Sequence, residues 1–236
     1  MRNAEHELSD WAVQRILARR TTINPFSEVA PERTALVVVD MQHGFVAAGT
    51  SSFVPSAAGI VERINRLAAA LRELGGLVVF TKHLIDDTTI REWSVYFANF
   101  VSPGRVEASR QNLGHGTAGY ELWSGLDVRP EDLVIPKRRF GAFAQGSSGL
   151  DQQLRARSID TLVVVGTVTN VCCESTAREA MMLNYKVFFV SDANAAMTVQ
   201  EQQATLDSMA LMFADVRNTE SMLALLRESA SAASRA

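Results

Sequence analysis

Cysteine is almost missing from this chain. Its 236 residues include two, and they are neighbours, Cys172 and Cys173. Adjacent cysteines do not make an ordinary unstrained disulfide. A disulfide scaffold is therefore excluded, and a reducing compartment, the cytoplasm, is the expected location. Long apolar runs are missing too: no stretch approaches the roughly 20 residues of a membrane span. The opening MRNAEHELSDWAVQRILARR lacks the continuous apolar core of a secretory signal. Nor is there an excess of positive charge. The formal net charge is −3, so no global basic field draws the chain to nucleic acid or to anionic lipid. The turn after the first apolar run, "DMQHGF", has too few glycines to cradle a phosphate. There is no Cys/His zinc spacing, no G-x-S-x-G elbow and no basic recognition helix.

What is present is alternation. Short apolar runs at Thr34–Val39, Leu77–Thr81, Leu133–Ile135, Thr161–Val165, Lys186–Val190 and Met212–Val216 are rich in Val, Leu, Ile and Phe. Apolar residues at consecutive positions suit strands covered on both faces. Between them lie helical patterns. Ala57–Leu74 repeats Ile60, Ile64, Leu67, Leu71 and Leu74 on one face and stops at Gly75-Gly76. Leu150–Arg157, Cys172–Leu183, Val199–Met209 and Thr219–Leu226 follow, with Thr198 and Asn218 as N-caps of the last two. The fold class is α/β, a doubly wound, about six-stranded parallel sheet with helices on both faces. We expect an N-terminal helix and arm over 1–33, a single domain over 34–227 and a frayed tail over 228–236. The helix, Leu8 to Arg19, is capped by Ser9 or Asp10 and packs on its own subunit or on a neighbour. A long insertion, about 84–129, carries Trp93, Tyr96, Phe97, Phe100, Tyr120 and Trp123. It forms either a satellite core or a wall over a pocket.

In a doubly wound sheet, ligands bind beyond the carboxyl ends of the strands. Three reactive side chains leave strands at that edge: Asp40 after "VVV", Lys137 after "VIP", and a thiol after "VVVGTVTN". Singly, each has an ordinary reading as a turn residue, a solvated cation or a small core residue. Together they suit acyl transfer. A cation and a helix N-terminus favour the thiolate. A carboxylate can take the thiol proton and return it to a leaving amine. Backbone N–H groups in the turn can receive an oxyanion. Cys173 falls in helical register with Ala177 and Ala180, an apolar face, which favours Cys172 as the reactive one.

The segments "ALVVVDMQHGF", "DLVIPKRRFGAF" and "VVVGTVTNVCCESTAREAMMLNYKVFFVSDANAA" resemble, in order and spacing, three blocks of the isochorismatase-like cysteine hydrolases. The resemblance implies an Asp40–Lys137–Cys172 triad. It also implies a cis peptide at Thr167–Val168 and an oxyanion hole from the Val168 and Cys172 N–H groups. By position it makes Gln42, Phe45, Phe143 and Asn170 substrate-binding candidates. "TNVCCEST" is most similar to the ureidoacrylate branch. The implied reaction is cysteine-dependent hydrolysis of an amide, ureido or carbamoyl C–N bond in a small molecule through a thioester. The alternatives are vinyl-ether hydrolysis of the isochorismate type, and a non-catalytic oligomeric or redox-sensing relative. The nicotinamidase metal set has no match here: His83, Asp86 and Asp87 do not reproduce it. No metal and no cofactor are expected. Expected partners are a small-molecule substrate and further copies of the chain, as dimer or tetramer. "FAQGSSGL" is one residue longer than usual, near Ser147 and Ser148.

Overall fold

Six apolar runs form one all-parallel sheet in the computed structural model, which describes residues 7–233. In chain order the elements are α1 (Asp10–Leu17), β1 (Thr34–Val39), α2 (His43–Val46), α3 (Val61–Glu73), β2 (Leu77–His83), α4 (Asp87–Glu92), α5 (Ser94–Asn99), α6 (Pro103–Leu113), β3 (Leu133–Lys137), α7 (Leu150–Arg155), β4 (Thr161–Thr167), α8 (Glu174–Met182), β5 (Lys186–Ala195), α9 (Val199–Met212), β6 (Asp215–Arg217) and α10 (Thr219–Ala233). The spatial order is β3-β2-β1-β4-β5-β6. The chain winds outward from β1 to β3, returns to the middle at β4 and winds the other way. The switch point thus lies between β1 and β4, where connections diverge and a crevice opens at the carboxyl edge.

The strands are parallel and central because both of their faces are apolar. Every residue of β1 and β4 is buried. Leu36, Val38, Val163, Val165 and Phe188 face the layer of α3 and α10, with Ile64, Leu67, Leu71, Met222 and Leu223. Ala35, Val37, Val39, Leu162, Val164 and Phe189 face the layer of α7, α8 and α9. Each large apolar side chain buried this way contributes about 1.5–3 kcal/mol. A one-residue slip would turn every strand side chain to the wrong layer, so the register is fixed. One backbone contact is equally strict. Gly166 has φ +119°, and a Cβ there would stand 2.2 Å from the Val39 carbonyl oxygen. Only glycine lets β4 approach β1 at the switch point.

The strands run further than their apolar cores. β2 continues to His83, β3 to Lys137, β4 to Thr167 and β5 to Ala195, because polar residues at the carboxyl edge still pair with neighbours. The sixth strand is shorter and later than expected. Met212 ends α9, and only Asp215–Arg217 pair with β5. The tail expected from residue 228 is helical as far as Ala233, and the Val29 N–H donates to Ser229 Oγ at 3.1 Å. At the other end, Ser9 caps α1, and Leu8, Ala12 and Ile16 are buried on the α9 side of the same subunit. Residues 1–6 of the expected arm lie outside the described residues. No helix among the described residues is long and apolar enough to cross a membrane.

Candidate active site

The crevice at the switch point holds a buried ion pair. Asp40 follows β1 with φ +50°. Thr81, on the adjacent strand, donates its hydroxyl to Asp40 Oδ1 at 2.8 Å. The Thr167 hydroxyl donates to the Asp40 carbonyl at 3.0 Å. Lys137 ends β3, and its stem crosses the end of β2 to set Nζ 2.7 Å from Asp40 Oδ2, both side chains fully buried. Nζ also donates to the Arg139 carbonyl at 2.9 Å and lies 3.3 Å from His83 Nδ1. Burial favours the neutral amine, but its surroundings, the Asp40 carboxylate foremost, outweigh it and hold the Lys137 pKa above its ordinary value.

Cys172 arrives by an irregular turn. The Thr167–Val168 peptide is cis. Residues Thr169–Cys173 then form one π-helical turn before α8 becomes regular at Glu174. The helix expected from Cys172 thus begins with a wider turn, a feature common at functional sites. The charges of Asp40 and Lys137 both bear on the Cys172 thiol. Burial pushes that thiol up to about 12; Lys137 opposes the shift and Asp40 adds to it. The sequence-based expectation of a cation-stabilised thiolate is therefore reversed at rest. Removing water from the sulfur outweighs the nearby ammonium, so the group rests as a neutral thiol.

A cavity of about 230 Å³ opens over this centre. Cys172, Val168, Val171 and His83 line its inner end. Phe45, Tyr96 and Phe140 form its walls, and the exposed Phe100, Ser102 and Arg105 stand at its mouth. A second lobe, about 310 Å³, shares Phe45, Tyr96, Arg105, Phe140 and Val168 and adds Asn170 and Glu201. His83 is buried, and burial together with the Lys137 charge holds its pKa well below the ordinary value. Its Nδ1 faces an ammonium, so the neutral ring carries its proton on Nε2. The insertion turns out to be wall and satellite core at once. Trp93 stacks on Tyr96 at 4.4 Å and meets Phe140 edge-on at 4.7 Å, while Phe97 is buried beneath them.

Of the substrate-binding candidates, Phe45 and Asn170 line the cavity and Gln42 and Phe143 do not. Gln42 is fully buried, and its amide is used up as a clamp. Oε1 accepts from the His83 N–H at 2.7 Å, and Nε2 donates to the His83 and Tyr120 carbonyls at 3.2 and 3.0 Å. Phe143 packs instead on Tyr185, at 5.6 Å, and Phe140 takes the wall position. Ser147 and Ser148 tie their loop to the Gly141 and Ala142 carbonyls, both at 2.7 Å. Cys173 is fully buried in the helix layer and does not line the cavity. His83, Asp86 and Asp87 do not converge: Asp86 caps α4 and pairs with Arg138, and Asp87 pairs with Arg110. His83, Phe140 and Arg105 were not legible as site residues, although the register of His83 with Lys137 was a usable signal for the first.

The chain and its fold are similar to those of known proteins. The chain is 32% identical over 209 residues to the ureidoacrylate amidohydrolase RutB of Acinetobacter baylyi, covering 83% of this chain and 84% of that protein. Its fold matches the crystal structure of a cysteine hydrolase from Pseudomonas syringae with a TM-score of 0.76 and 29% identity, over 88% of this chain and 98% of the other. It also matches an N-carbamoylsarcosine amidase from Thermoplasma acidophilum, with a TM-score of 0.62 and 27% identity over 80% and 97% of the two chains. The Isochorismatase domain model matches residues 34–221, most of the chain and all three segments that carry Asp40, Lys137 and Cys172. This chain, a hydrolase, belongs to the isochorismatase family.

Proposed function

We propose that the protein is a cysteine amidohydrolase that cleaves the C–N bond of an amide, ureido or carbamoyl group in a small molecule. One observation carries the reading. A thiol, a carboxylate and an ammonium from three distant segments meet at the switch point, at the closed end of a cavity. The relatives named above as amidohydrolase and amidase support the same bond type.

In this reading the sulfur is protonated at rest. When a carbonyl carbon enters the inner end, Asp40 takes the thiol proton as sulfur attacks. The C–S bond forms and the carbonyl π pair moves to oxygen. We assign the Val168 and Cys172 N–H groups, the pair the family resemblance implies, to that oxyanion; such donors are worth about 10²–10³-fold in rate. Lys137 holds the sulfur and carboxylate charges together through the exchange. The tetrahedral centre collapses, the C–N bond breaks, and Asp40 returns its proton to the leaving nitrogen as ammonia or an amine. Water then adds to the thioester carbonyl as Asp40 takes its proton, the C–S bond breaks, the carboxylic or carbamic acid leaves, and Asp40 returns the proton to sulfur. Low dielectric strengthens each of these interactions.

Cys173 lies in the core, away from the cavity, which argues against a paired-thiol redox device. The deciding experiment is an ammonia-release screen over amides, ureides and carbamoyl compounds. Turnover is expected for wild type and a loss on the order of 10⁴-fold or more for Cys172→Ala. Release that survives Cys172→Ala, or none with any compound, overturns the reading.

A further inference from the structure

We infer that His83 is a positioning residue for the Lys137 ammonium: its Nδ1 holds one N–H of that group at rest and yields it to the Cys172 sulfur as the sulfur ionises. This deepens the amidohydrolase reading by assigning a group outside the Asp40, Lys137 and Cys172 set.

An ammonium carries three N–H donors and accepts nothing. At Lys137 three acceptors stand around Nζ: Asp40 Oδ2 at 2.7 Å, the Arg139 carbonyl at 2.9 Å and His83 Nδ1 at 3.3 Å. They occupy the ammonium at rest, while the Cys172 sulfur, whose ionisation Lys137 favours, competes for the same donors. The bond to His83 is the longest of the three, and its acceptor is a neutral ring. A new anion therefore displaces it at the least cost, since hydrogen bonds to ionised partners are about twice as strong. Asp40 and the Arg139 carbonyl keep the ammonium in place while that one donor turns to sulfur.

The imidazole is held where this exchange needs it. Gln42 grips its backbone on both sides, accepting from the His83 N–H at 2.7 Å and donating to the His83 carbonyl at 3.2 Å. The next N–H, of Leu84, donates to the Lys137 carbonyl at 2.9 Å, and His83 and Lys137 are register partners on β2 and β3. The ring lies along Phe140, with centroids 6.2 Å apart and planes 24° apart. It is buried, and it lines the inner end of the cavity with Cys172. The titratable groups around it are Lys137 and Cys172, with Asp40 behind the ammonium and Tyr96 on the cavity wall. Burial and the ammonium keep the ring neutral, so Nδ1 stays free to accept.

The test reads the ionisation of the sulfur directly. Thiolate absorbance in the ultraviolet is followed against pH for wild type, His83→Leu and His83→Asn, each as a difference from the same protein carrying Cys172→Ala. Leucine removes the acceptor, and asparagine can set a carboxamide oxygen near the place of Nδ1. In His83→Leu the freed donor turns to sulfur, and the thiolate should appear at a pH lower by about one unit or more, the worth of one hydrogen bond to a charged group. His83→Asn should stay near wild type. An unchanged or later onset in His83→Leu overturns the inference, and so does His83→Asn following His83→Leu. Urea unfolding of each variant checks that it is folded. Nitrogen NMR of the wild-type ring needs no variant: a neutral ring protonated on Nε2 supports the inference, and a proton on Nδ1 or a charged ring at neutral pH overturns it. None of these readings uses a substrate, so the inference and the amidohydrolase reading can fail separately.

Discussion

The two ends of the cavity are built differently. The inner end comes from the carboxyl edges of β1, β3 and β4, and its polar groups are locked to the sheet: Asp40 to Thr81 and Thr167, Lys137 to Asp40 and a carbonyl. The outer wall comes from short helices of the insertion. Stacked rings and surface ion pairs hold it, and Phe100 stands 78% exposed at the rim. Chemistry at the inner end is thereby tied to the fold, while recognition at the outer end is free to vary without unfolding it.

Removing the inner cation should break this contrast most visibly. Lys137→Met keeps the stem length but leaves the Asp40 carboxylate buried without its partner. Such a loss costs about 3–5 kcal/mol. Urea unfolding should show a drop of that size, together with loss of turnover. Adding Asp40→Asn should recover part of the stability and none of the activity. In the same assay Arg105→Leu should stay within about 0.5 kcal/mol of wild type, as surface changes usually do. Comparable losses at Lys137 and Arg105 would mean that the two ends are not separable.

A smaller effect separates the resting thiol from an activated one. With burial holding Cys172 up at about 12, its thiolate fraction grows about tenfold per pH unit through the neutral range and beyond. Iodoacetamide labelling of Cys172, located by mass spectrometry, should therefore keep rising past pH 9. A plateau near pH 7 or 8 would show that the ammonium wins over burial in the free enzyme. Cys173, fully buried, should remain unlabelled in the folded protein.

The same division governs what the sequence disclosed. Strand cores, the layer faces of Ile64, Leu67 and Leu71, and the convergence of three strand exits follow from local periodicity and from one topological rule. Periodicity says nothing about where an insertion folds back, so Arg105 was invisible as a cavity residue. Gln42 was misread for a related reason. Its position beside Asp40 suggested substrate, but the buried end of β2 needed its amide first. Phe143 and Phe140 differ by three residues in an irregular loop, where no repeat decides which ring turns inward. The direction of the Cys172 shift needed burial, which a motif does not supply. The helical tail was obscured by its Ala/Ser composition, although alanine is the best helix former and the Ser229 bond to the arm anchors it.

The least disruptive prediction concerns the seam where wall and inner end join. Asp86 caps α4, accepting from the Thr89 N–H at 2.8 Å, and pairs with Arg138 at 2.7 Å, one residue beyond Lys137. Burial works against its ionised form, but the Arg138 and Thr89 hydrogen bonds prevail and hold its pKa at about 2. Asp86→Ala should cost about 1 kcal/mol, the usual worth of such a cap. The sign of the pH dependence follows from a folded value below the unfolded one, near 3.9. Its contribution is complete above about pH 5 and is lost as pH falls toward about 2. The stability gap between wild type and variant, read by urea unfolding, should be full at pH 7 and narrower by pH 3. Turnover should change by less than about threefold if the seam only carries the wall. A loss near that of Lys137→Met would make α4 part of the inner end, and the contrast between the two ends would have to be redrawn there.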